Sequence, residues 1–277
     1  YFVGYSLSGS GDEAWRWMLA CSAVPCLLIL PLRVTLPESP LWLAAHGRHE
    51  QALRIVQHYV GRNVAAPLPA LTPPPNVGRW AQLLSPTWRR RTLVACAFFT
   101  CQVIPYFAVG TFVTQVLDAL NVGNSFVGGL AYNLSLLSGA VLGLLVVDRM
   151  PRRTFLVGSF GITAAAMLWL VIAKNPTPTT IVVLFVIFAG VLSAASNLVY
   201  VYLPELFPTS LRASGIGLAI AASRVGSAIS TFLLPVVVSR YGVHVALGAC
   251  VAVLAFGGLV CHRWAPETRH CRLDTVG

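Results

Sequence analysis

The sequence predicts an all-α protein that crosses a lipid bilayer several times. Hydrophobic residues occupy 56% of the 277 positions and charged residues only 10%, whereas soluble domains carry about 25% charged residues. The mean hydropathy is +0.74. The apolar residues recur in runs of at least about 18 residues that are nearly free of charge, which is the length that a helix needs to cross the hydrocarbon core. Composition and run length together indicate a polytopic membrane protein.

Seven runs are long enough to span the bilayer as helices. They are Trp17–Leu32 (continued past Arg33 by Val34–Pro37), Thr92–Leu117, Ala119–Val147, Thr154–Ala173, Asn175–Leu203, Ala213–Ser239 around Arg224, and Tyr241–Cys261. The apolar stretch Tyr1–Leu7 is too short to cross and is not a signal peptide. We interpret it as the tail of a further helix that begins upstream.

A long polar segment separates the first run from the second. Within it, Pro40–Gly61 has helical spacing of Leu43, Leu53, Val56 and Tyr59, with charges between them. This pattern predicts one or two short amphipathic helices at the membrane surface. The following stretch, Asn63–Asn76, holds five prolines, which no regular element tolerates. We expect it to be a linker.

The basic residues lie mostly on one side of the predicted spans. If the segment after the first full span is cytoplasmic, all but four of the 19 Lys and Arg residues fall in cytoplasmic segments or their borders; the exceptions are Arg16, Lys174, Arg240 and the membrane-embedded Arg224. Cytoplasmic loops of membrane proteins carry such an excess of Lys and Arg. The distribution therefore predicts that residues 38–91 and the C-terminus are cytoplasmic, and it explains the net charge of +10 without nucleic-acid binding.

Cysteine and histidine carry little chemistry in this sequence. The seven cysteines form no C-x-x-C pair, and most lie in apolar runs, where they act as small hydrophobic residues. The histidines lie in loops or at the ends of spans; His46 and His49 are three residues apart, but they belong to a solvated amphipathic segment. We therefore expect no metal site, no cofactor and no enzymatic activity.

Arg224 is the most informative single residue because it lies in the middle of a predicted span. A charged side chain at the bilayer centre costs roughly 3 kcal/mol on insertion scales, so it normally faces a water-filled cavity or a partner. Its guanidinium does not lose its proton. Arg224 is thus a candidate for substrate binding; the alternative is a structural arginine held by carbonyl groups or by a carboxylate elsewhere.

Other polar residues form stripes within the spans. Ser193, Ser196, Asn197 and Tyr200 fall on one helical face. The second span offers Gln102 and Tyr106, and the third offers Tyr132 and Asn133, of which only one can be central to a cavity because adjacent residues diverge. Each serine or asparagine alone is better explained as a contact between helices. As an ensemble, the candidate substrate-binding residues are Gln102, Tyr106, Asn133, Asn197, Tyr200 and Arg224.

Four loop motifs then occur in a fixed order. They are LPESPLWL (36–43), DRMPRR (148–153), LPELFPTSLR (203–212) and APETR (265–269). Together they resemble the signatures of the sugar-porter branch of the major facilitator superfamily. The resemblance implies a twelve-helix fold. This chain would hold the tail of helix 5 and helix 6 (1–37), the intracellular helices and a linker (38–91), the six-helix C-terminal bundle (92–264) and a cytoplasmic tail (265–277).

Departures from the sugar-porter pattern favour a different substrate. Sugar porters usually carry a Q-Q-x-S-G-x-N stretch in helix 7, where this chain has TCQVIPYFA (100–108) and retains one amide, Gln102. That stretch, and the segment Ser223–Pro235, resemble the bacterial metabolite:proton symporters. A small organic acid is therefore favoured over a sugar, since Arg224 can pair with a carboxylate through a bidentate fork. Leu41, Pro151 and Leu206 also depart from the loop signatures.

The resemblance implies alternating access around a site near the bilayer midplane. Charged residues at the cytoplasmic side are candidates for salt bridges that gate this motion: Asp148, Arg149, Arg152, Arg153, Glu205 and Arg212. Simple positive-inside anchoring is the alternative. A proton symporter needs a protonatable carboxylate in the membrane, and the acid nearest a span is Asp118, at the outer end of the second span. If protons drive transport, we expect their carrier in the N-terminal bundle.

Three functions remain open at this point. The first is proton-coupled transport of a small anionic metabolite by a monomer in a bacterial inner membrane. The second is sugar or polyol transport by the same fold. The third is a receptor or scaffold that kept the fold without transport.

Overall fold

The computed structural model describes residues 6, 13–34, 36–45, 47–60, 79–120, 123, 125–174 and 176–268. Every regular element in these ranges is a helix. The chain divides into two compact units, Tyr1–Asn76 and Val77–Gly277, and each is described by itself. The linker predicted at Asn63–Asn76 lies outside the described residues.

The first unit contains one long helix and two short ones. Helix α1, Ala14–Val34, buries Ala14, half-buries Met18 and exposes its other side chains, and Pro25 and Pro31 lie within it. Helices α2 (Pro40–Ala45) and α3 (His49–Val60) pack together through a small core of Leu43, Ala44 and Ala52. Gly47 separates these two helices with φ 76°, a conformation that favours glycine. The segment thus forms two short helices, as its spacing predicts; their place at the membrane surface stays a prediction.

The second unit is a bundle of long helices with two short additions. Its helices are α4 (Arg79–Leu83), α5 (Arg89–Thr111), α6 (Val113–Ala119), α7 (Ser125–Val147), α8 (Arg152–Ile172), α9 (Pro178–Glu205), α10 (Thr209–Tyr241) and α11 (Val243–Trp264). Helix α5 packs against α10, α11 and α9, while α7 packs on α9 and α8 fills the space between α9 and α11. Short turns join α7 to α8, α8 to α9, α9 to α10 and α10 to α11.

Seven of the described helices are long and apolar enough to cross a membrane: α1, α5, α7, α8, α9, α10 and α11. The predicted all-α polytopic fold is therefore confirmed. The second run, predicted as one helix ending at Leu117, is broken at Phe112 in the structure. Helix α5 ends at Thr111, and α6 begins at Val113. The β-branched residues Thr111, Val113 and Thr114 lower the helix propensity at this break.

Helices α7 and α9 approach each other closely. A Cβ atom on Gly139 would lie 2.2 Å from the carbonyl oxygen of Gly190, so only glycine fits at that crossing. The hydroxyl of Ser135 donates to the carbonyl of Val186 at 2.6 Å, and that of Ser193 donates to the carbonyl of Leu136 at 2.6 Å. Small residues and interhelical hydrogen bonds of this kind hold helices together where no water is available. Helices α7 and α9 thus form a tightly joined pair beside α5.

Candidate functional site

Four of the predicted site residues line one cavity in the second unit. The cavity has a volume of about 170 Å³, and its lining residues are Phe99, Gln102, Val103, Tyr106, Phe107, Ser196, Val199, Tyr200 and Arg224. Helix α5 supplies five of them along a single face, α9 supplies three and α10 supplies the arginine. Spacings of three and four residues bring side chains to the same side of a helix. The packing of α5 against α9 and α10 therefore assembles the cavity.

Gln102 lines this cavity, and within the described residues its side-chain oxygen is buried without a partner. Its side chain is buried, and its Nε2 donates to the carbonyl of Leu192 at 3.1 Å and to the hydroxyl of Ser196 at 3.3 Å. A carbonyl oxygen only accepts hydrogen bonds, so the contact with Leu192 fixes which end of the amide is nitrogen. The Oε1 atom has no hydrogen-bond partner in the described structure. A buried amide oxygen without a hydrogen-bond partner destabilises the folded protein.

Arg224 supplies the cation of the cavity. It lies near the middle of the 33-residue helix α10, and its side chain is exposed. Within the described ranges, Arg224 forms no ion pair with a carboxylate. Because the same helix qualifies as a membrane span, an exposed guanidinium at this depth indicates a polar path or an anionic partner.

Aromatic rings form most of the remaining wall. The rings of Tyr106 and Phe107 meet edge to face at 5.5 Å between centroids. Phe99 lies two turns before Tyr106 and Phe107 on α5. Tyr200, on α9, is 81% exposed and also lines the cavity.

The two predicted asparagines do not line this cavity. Asn133 donates to the carbonyl of Gly129 in its own helix at 2.8 Å. Asn197 donates to the carbonyl of Ala140 at 2.9 Å, across the contact between α7 and α9. Tyr132, the neighbour of Asn133, is buried against Phe185 and does not line the cavity either. The structure thus brings together Gln102, Tyr106, Tyr200 and Arg224.

Three predicted gating residues share one network at the end of the bundle where α7 and α9 end. The guanidinium of Arg152 lies between two carboxylates, 3.4 Å from Asp148 and 3.6 Å from Glu205, and also donates to the carbonyl of Val147. The Arg152 side chain is only 9% exposed, whereas that of Asp148 is 81% exposed. The turn after α7 provides Asp148, the first residue of α8 is Arg152, and the last turn of α9 provides Glu205.

The segment after α11 completes this network. The carboxylate of Glu267 accepts hydrogen bonds from the backbone N–H groups of Arg152 and Arg153, at 2.9 and 3.0 Å. It thereby caps the start of α8, where helices leave N–H groups unpaired and a negative charge is favoured. The hydroxyl of Thr268 donates to the carboxylate of Glu205. All these contacts lie inside the second unit.

The other predicted gating residues lie around this network. The side chain of Arg153 donates to the carbonyl of His262 in α11. The Nε atom of Arg212 donates to the carbonyl of Pro204 at 3.1 Å, near the end of α9. Arg149 is exposed in the turn after α7. Arg153 and Arg212 thus donate to carbonyl groups near the ends of α11 and α9, where a helix carries partial negative charge.

Sequence reasoning missed several residues of both sites. Phe99 and Phe107 share the α5 face of Gln102 and Tyr106, and this shared face is the signal that identifies them. Ser196 was recognised as polar, but its contact with Gln102 follows only from the packing of α9 on α5. In the described residues, no group of three His, Cys, Asp or Glu side chains could hold a metal ion.

Comparison with known proteins identifies the family. Residues 1–276 match the family model described as "Sugar (and other) transporter". The chain belongs to this family. It is a family of transporters, not of enzymes, and the chain is a multi-pass membrane protein with part of a major facilitator fold.

Relatives within the sugar (and other) transporter family agree with the match. The chain is 38% identical over 275 residues to the inner membrane metabolite transport protein YgcS of Escherichia coli, covering 99% of this chain and 61% of the relative. It is 34% identical over 270 residues to the putative metabolite transport protein YaaU of the same organism, covering 96% and 60%. The chain thus spans about three fifths of the length of these relatives.

A solved structure shares the fold. The proton:xylose symporter XylE of E. coli, bound to 6-bromo-6-deoxy-D-glucose, superposes with a TM-score of 0.74 at 21% identity, covering all of this chain and 62% of XylE. At 21% identity, this similarity shows that the two chains share a fold, but it gives no information on the substrate of this chain.

Proposed function

We propose that this chain is part of a secondary transporter that moves a small organic acid across a bacterial inner membrane by alternating access. The observation that carries the proposal is the membrane-embedded Arg224, which lines a cavity together with Gln102, Tyr106 and Tyr200. A cavity with one cation and few other polar groups is suited to a small monoanion.

The physical reason lies in the cost of an isolated charge in a membrane. An unpaired guanidinium at this depth costs roughly 3 kcal/mol on insertion scales. A substrate carboxylate that enters the cavity offsets this cost, and hydrogen bonds that involve ionised groups are worth about 1.5–3 kcal/mol each. The planar guanidinium can also grip both carboxylate oxygens at once.

The names of the relatives support transport of a metabolite, but they leave its chemistry open. YgcS and YaaU are described as metabolite transport proteins. XylE, which shares the fold, is described as a proton:xylose symporter. That description favours a sugar as the second candidate, together with the buried amide of Gln102, because amides bind sugar hydroxyls. It also supports coupling to protons in the first candidate.

The network around Arg152 is the proposed gate. Two carboxylates and one buried guanidinium join the ends of α7, α8 and α9. Asp148 is exposed, and an exposed ion pair is worth only about 0–1 kcal/mol, whereas removing Glu205 from the buried guanidinium of Arg152 costs more. A network of this kind is able to bias the balance between two states. We place this end of the bundle in the cytoplasm, on the basis of the arginine distribution.

Reconstitution of the full-length protein separates the candidates. The measurement is uptake of labelled organic acids and labelled sugars into proteoliposomes at pH 7.5, with protein-free liposomes as the blank for passive permeation, and with internal pH recorded in parallel. We expect uptake of an organic acid together with protons. Uptake of sugars alone would support the second candidate, and the absence of any uptake would support a receptor or scaffold.

A further inference from the structure

We infer that the start of α5 binds the headgroup of an anionic phospholipid. The lipid-docking surface consists of Arg89 and Arg90, together with Trp80 and Leu84 of the segment just before α5. None of these residues lines the cavity that contains Arg224, so the inference does not depend on the substrate. Its occupant is a lipid because α5 is long and apolar enough to cross a membrane and begins at Arg89, which places both arginines at the depth of the headgroups.

Two of the three arginines at the start of α5 carry charges without a partner in the described structure. The side chains of Arg89 and Arg90 are exposed, and within the described residues neither forms an ion pair or a side-chain hydrogen bond. Arg91 differs, because its guanidinium stacks on the ring of Trp88 at 5.0 Å and donates to the carbonyl of Leu206 at 3.5 Å. Two adjacent positive charges are thus left for an external anion.

The acidic residues of the chain leave these two charges uncompensated. The sequence contains no Asp or Glu from residue 51 to residue 117. The described acids at this end of the bundle, Asp148, Glu205 and Glu267, are engaged around Arg152 instead. A phosphodiester supplies the missing negative charge, and a guanidinium binds two phosphate oxygens at once through paired hydrogen bonds.

Trp80 and Leu84 fit the lipid-docking surface to the membrane interface. Trp80 is 59% exposed and Leu84 is 72% exposed. The hydroxyl of Thr92 donates to the carbonyl of Leu83 at 2.9 Å, which holds α4 beside the first turn of α5. Tryptophan is enriched at the depth of the headgroups. The arginines therefore bind the headgroup, while the two exposed apolar side chains contact the upper part of the acyl chains.

The charge of the surface selects an anionic lipid over a zwitterionic one. Each arginine close to an anionic membrane surface contributes about 5-fold in affinity, whereas phosphatidylcholine has no net charge to attract it. The distribution of arginine predicts that this end of the bundle is cytoplasmic, and anionic lipids give the cytoplasmic leaflet its negative surface potential.

Brominated phospholipids test the inference on the full-length protein in nanodiscs, because bromine quenches tryptophan fluorescence only at short range. The nanodiscs contain phosphatidylcholine with a small fraction of phosphatidylglycerol, and the bromine is carried either by the phosphatidylglycerol or by an equal fraction of the phosphatidylcholine. The emission of Trp80 is the difference between the wild type and Trp80→Phe. We expect brominated phosphatidylglycerol to quench this emission more strongly than brominated phosphatidylcholine, because the surface enriches the anionic lipid.

Variants assign the enrichment to the two arginines. In the double variant Arg89→Gln/Arg90→Gln, the fraction of phosphatidylglycerol needed for half-maximal quenching should rise about 10- to 30-fold. Arg240→Gln is the matched control, since Arg240 is an exposed arginine in the last turn of α10, and this variant should quench like the wild type. Salt of about 1 M, which screens exposed charges beyond about 3 Å, should weaken the enrichment in the wild type.

Three results would overturn the inference. The first is equal quenching of wild-type Trp80 by the two brominated lipids. The second is a difference in quenching that the double variant keeps, which would assign the enrichment to other residues. The third is a melting temperature that the double variant lowers equally in nanodiscs with and without phosphatidylglycerol, which would show that Arg89 and Arg90 pair with a carboxylate of the protein itself.

Discussion

Gln102 and Asn197 carry the same amide group inside the membrane, but their contacts differ. The nitrogen of Asn197 ties α9 to α7 through the carbonyl of Ala140, and the nitrogen of Gln102 ties α5 to α9 through the carbonyl of Leu192. Both amides therefore contribute to stability. Gln102 also lines the cavity, whereas Asn197 does not, so only Gln102 is expected to contribute to binding as well.

We therefore expect different effects from removing each amide. Asn197→Ala should lower the melting temperature of the purified protein, because an interhelical hydrogen bond in a membrane is worth about 0.6–2 kcal/mol, while substrate affinity stays unchanged. Gln102→Ala should lower substrate affinity as well. Thermal unfolding followed by fluorescence and equilibrium binding on the same samples check this. A loss of affinity in Asn197→Ala without a loss of stability would show that Asn197 belongs to the substrate-binding site.

The polar stripe of α9 illustrates what a sequence predicts and what it does not. Ser193, Ser196, Asn197 and Tyr200 do share the helical face that their spacing predicts. That face is wide enough to meet two neighbours, so Ser193 and Asn197 contact α7 while Ser196 and Tyr200 reach the cavity beside α5. Spacing fixes the face of one helix, but the positions of neighbouring helices depend on packing along the whole bundle.

Helix α10 also shows that polar residues near each other in sequence need not share a function. Ser223, Ser227 and Ser230 flank Arg224 in the sequence, but their hydroxyls donate to carbonyl groups three residues earlier in the same helix. They need no external partner, and of the polar residues of α10 only Arg224 lines the cavity. The role of Arg224 in the cavity was predictable from the sequence, because carbonyl groups of its own helix do not neutralise a guanidinium charge as they satisfy a serine hydroxyl.

At the scale of elements, the closest contact is the crossing of α7 and α9 at Gly139. Gly139→Leu should separate these helices and lower the melting temperature, because even a Cβ atom would meet the backbone of Gly190 at 2.2 Å. Gly158→Leu is the matched control: Gly158 is exposed on α8, and a Cβ atom there meets nothing within 4 Å. Thermal unfolding and size-exclusion profiles of both variants check this. Equal stability of the two variants would contradict the tight pairing.

The network that joins the ends of α7, α8 and α9 gives a second test at this scale. Glu205→Gln should slow transport with little change in substrate affinity, because it weakens the contact with Arg152 and leaves the cavity intact. Initial uptake rates and equilibrium binding on the same preparation separate the two effects. Glu50→Gln, an exposed acid in the first turn of α3, is the control. A large loss of affinity with a normal rate would exclude a gating role for Glu205.

At the scale of the whole molecule, the distribution of arginine predicts orientation. In intact cells, an impermeant thiol reagent should label a cysteine placed at Gly123 but not one placed at Gln82 or Arg152, because the latter two fall on the arginine-rich side. Native cysteines provide the background to be subtracted. Labelling at Arg152 from outside would reverse the orientation and place the proposed gate on the external side.

The central claim is that an organic anion is held at Arg224 during transport. The most direct test compares the transported acid with its neutral primary amide, in wild-type full-length protein and in Arg224→Ala. We expect the substitution to weaken binding of the acid about 10- to 100-fold, the equivalent of a charged hydrogen bond, and to leave binding of the amide almost unchanged. Arg224→Lys should also weaken the acid, because a point charge replaces a planar fork. An equal loss for acid and amide would contradict the claim and make Arg224 a residue that holds the helices together.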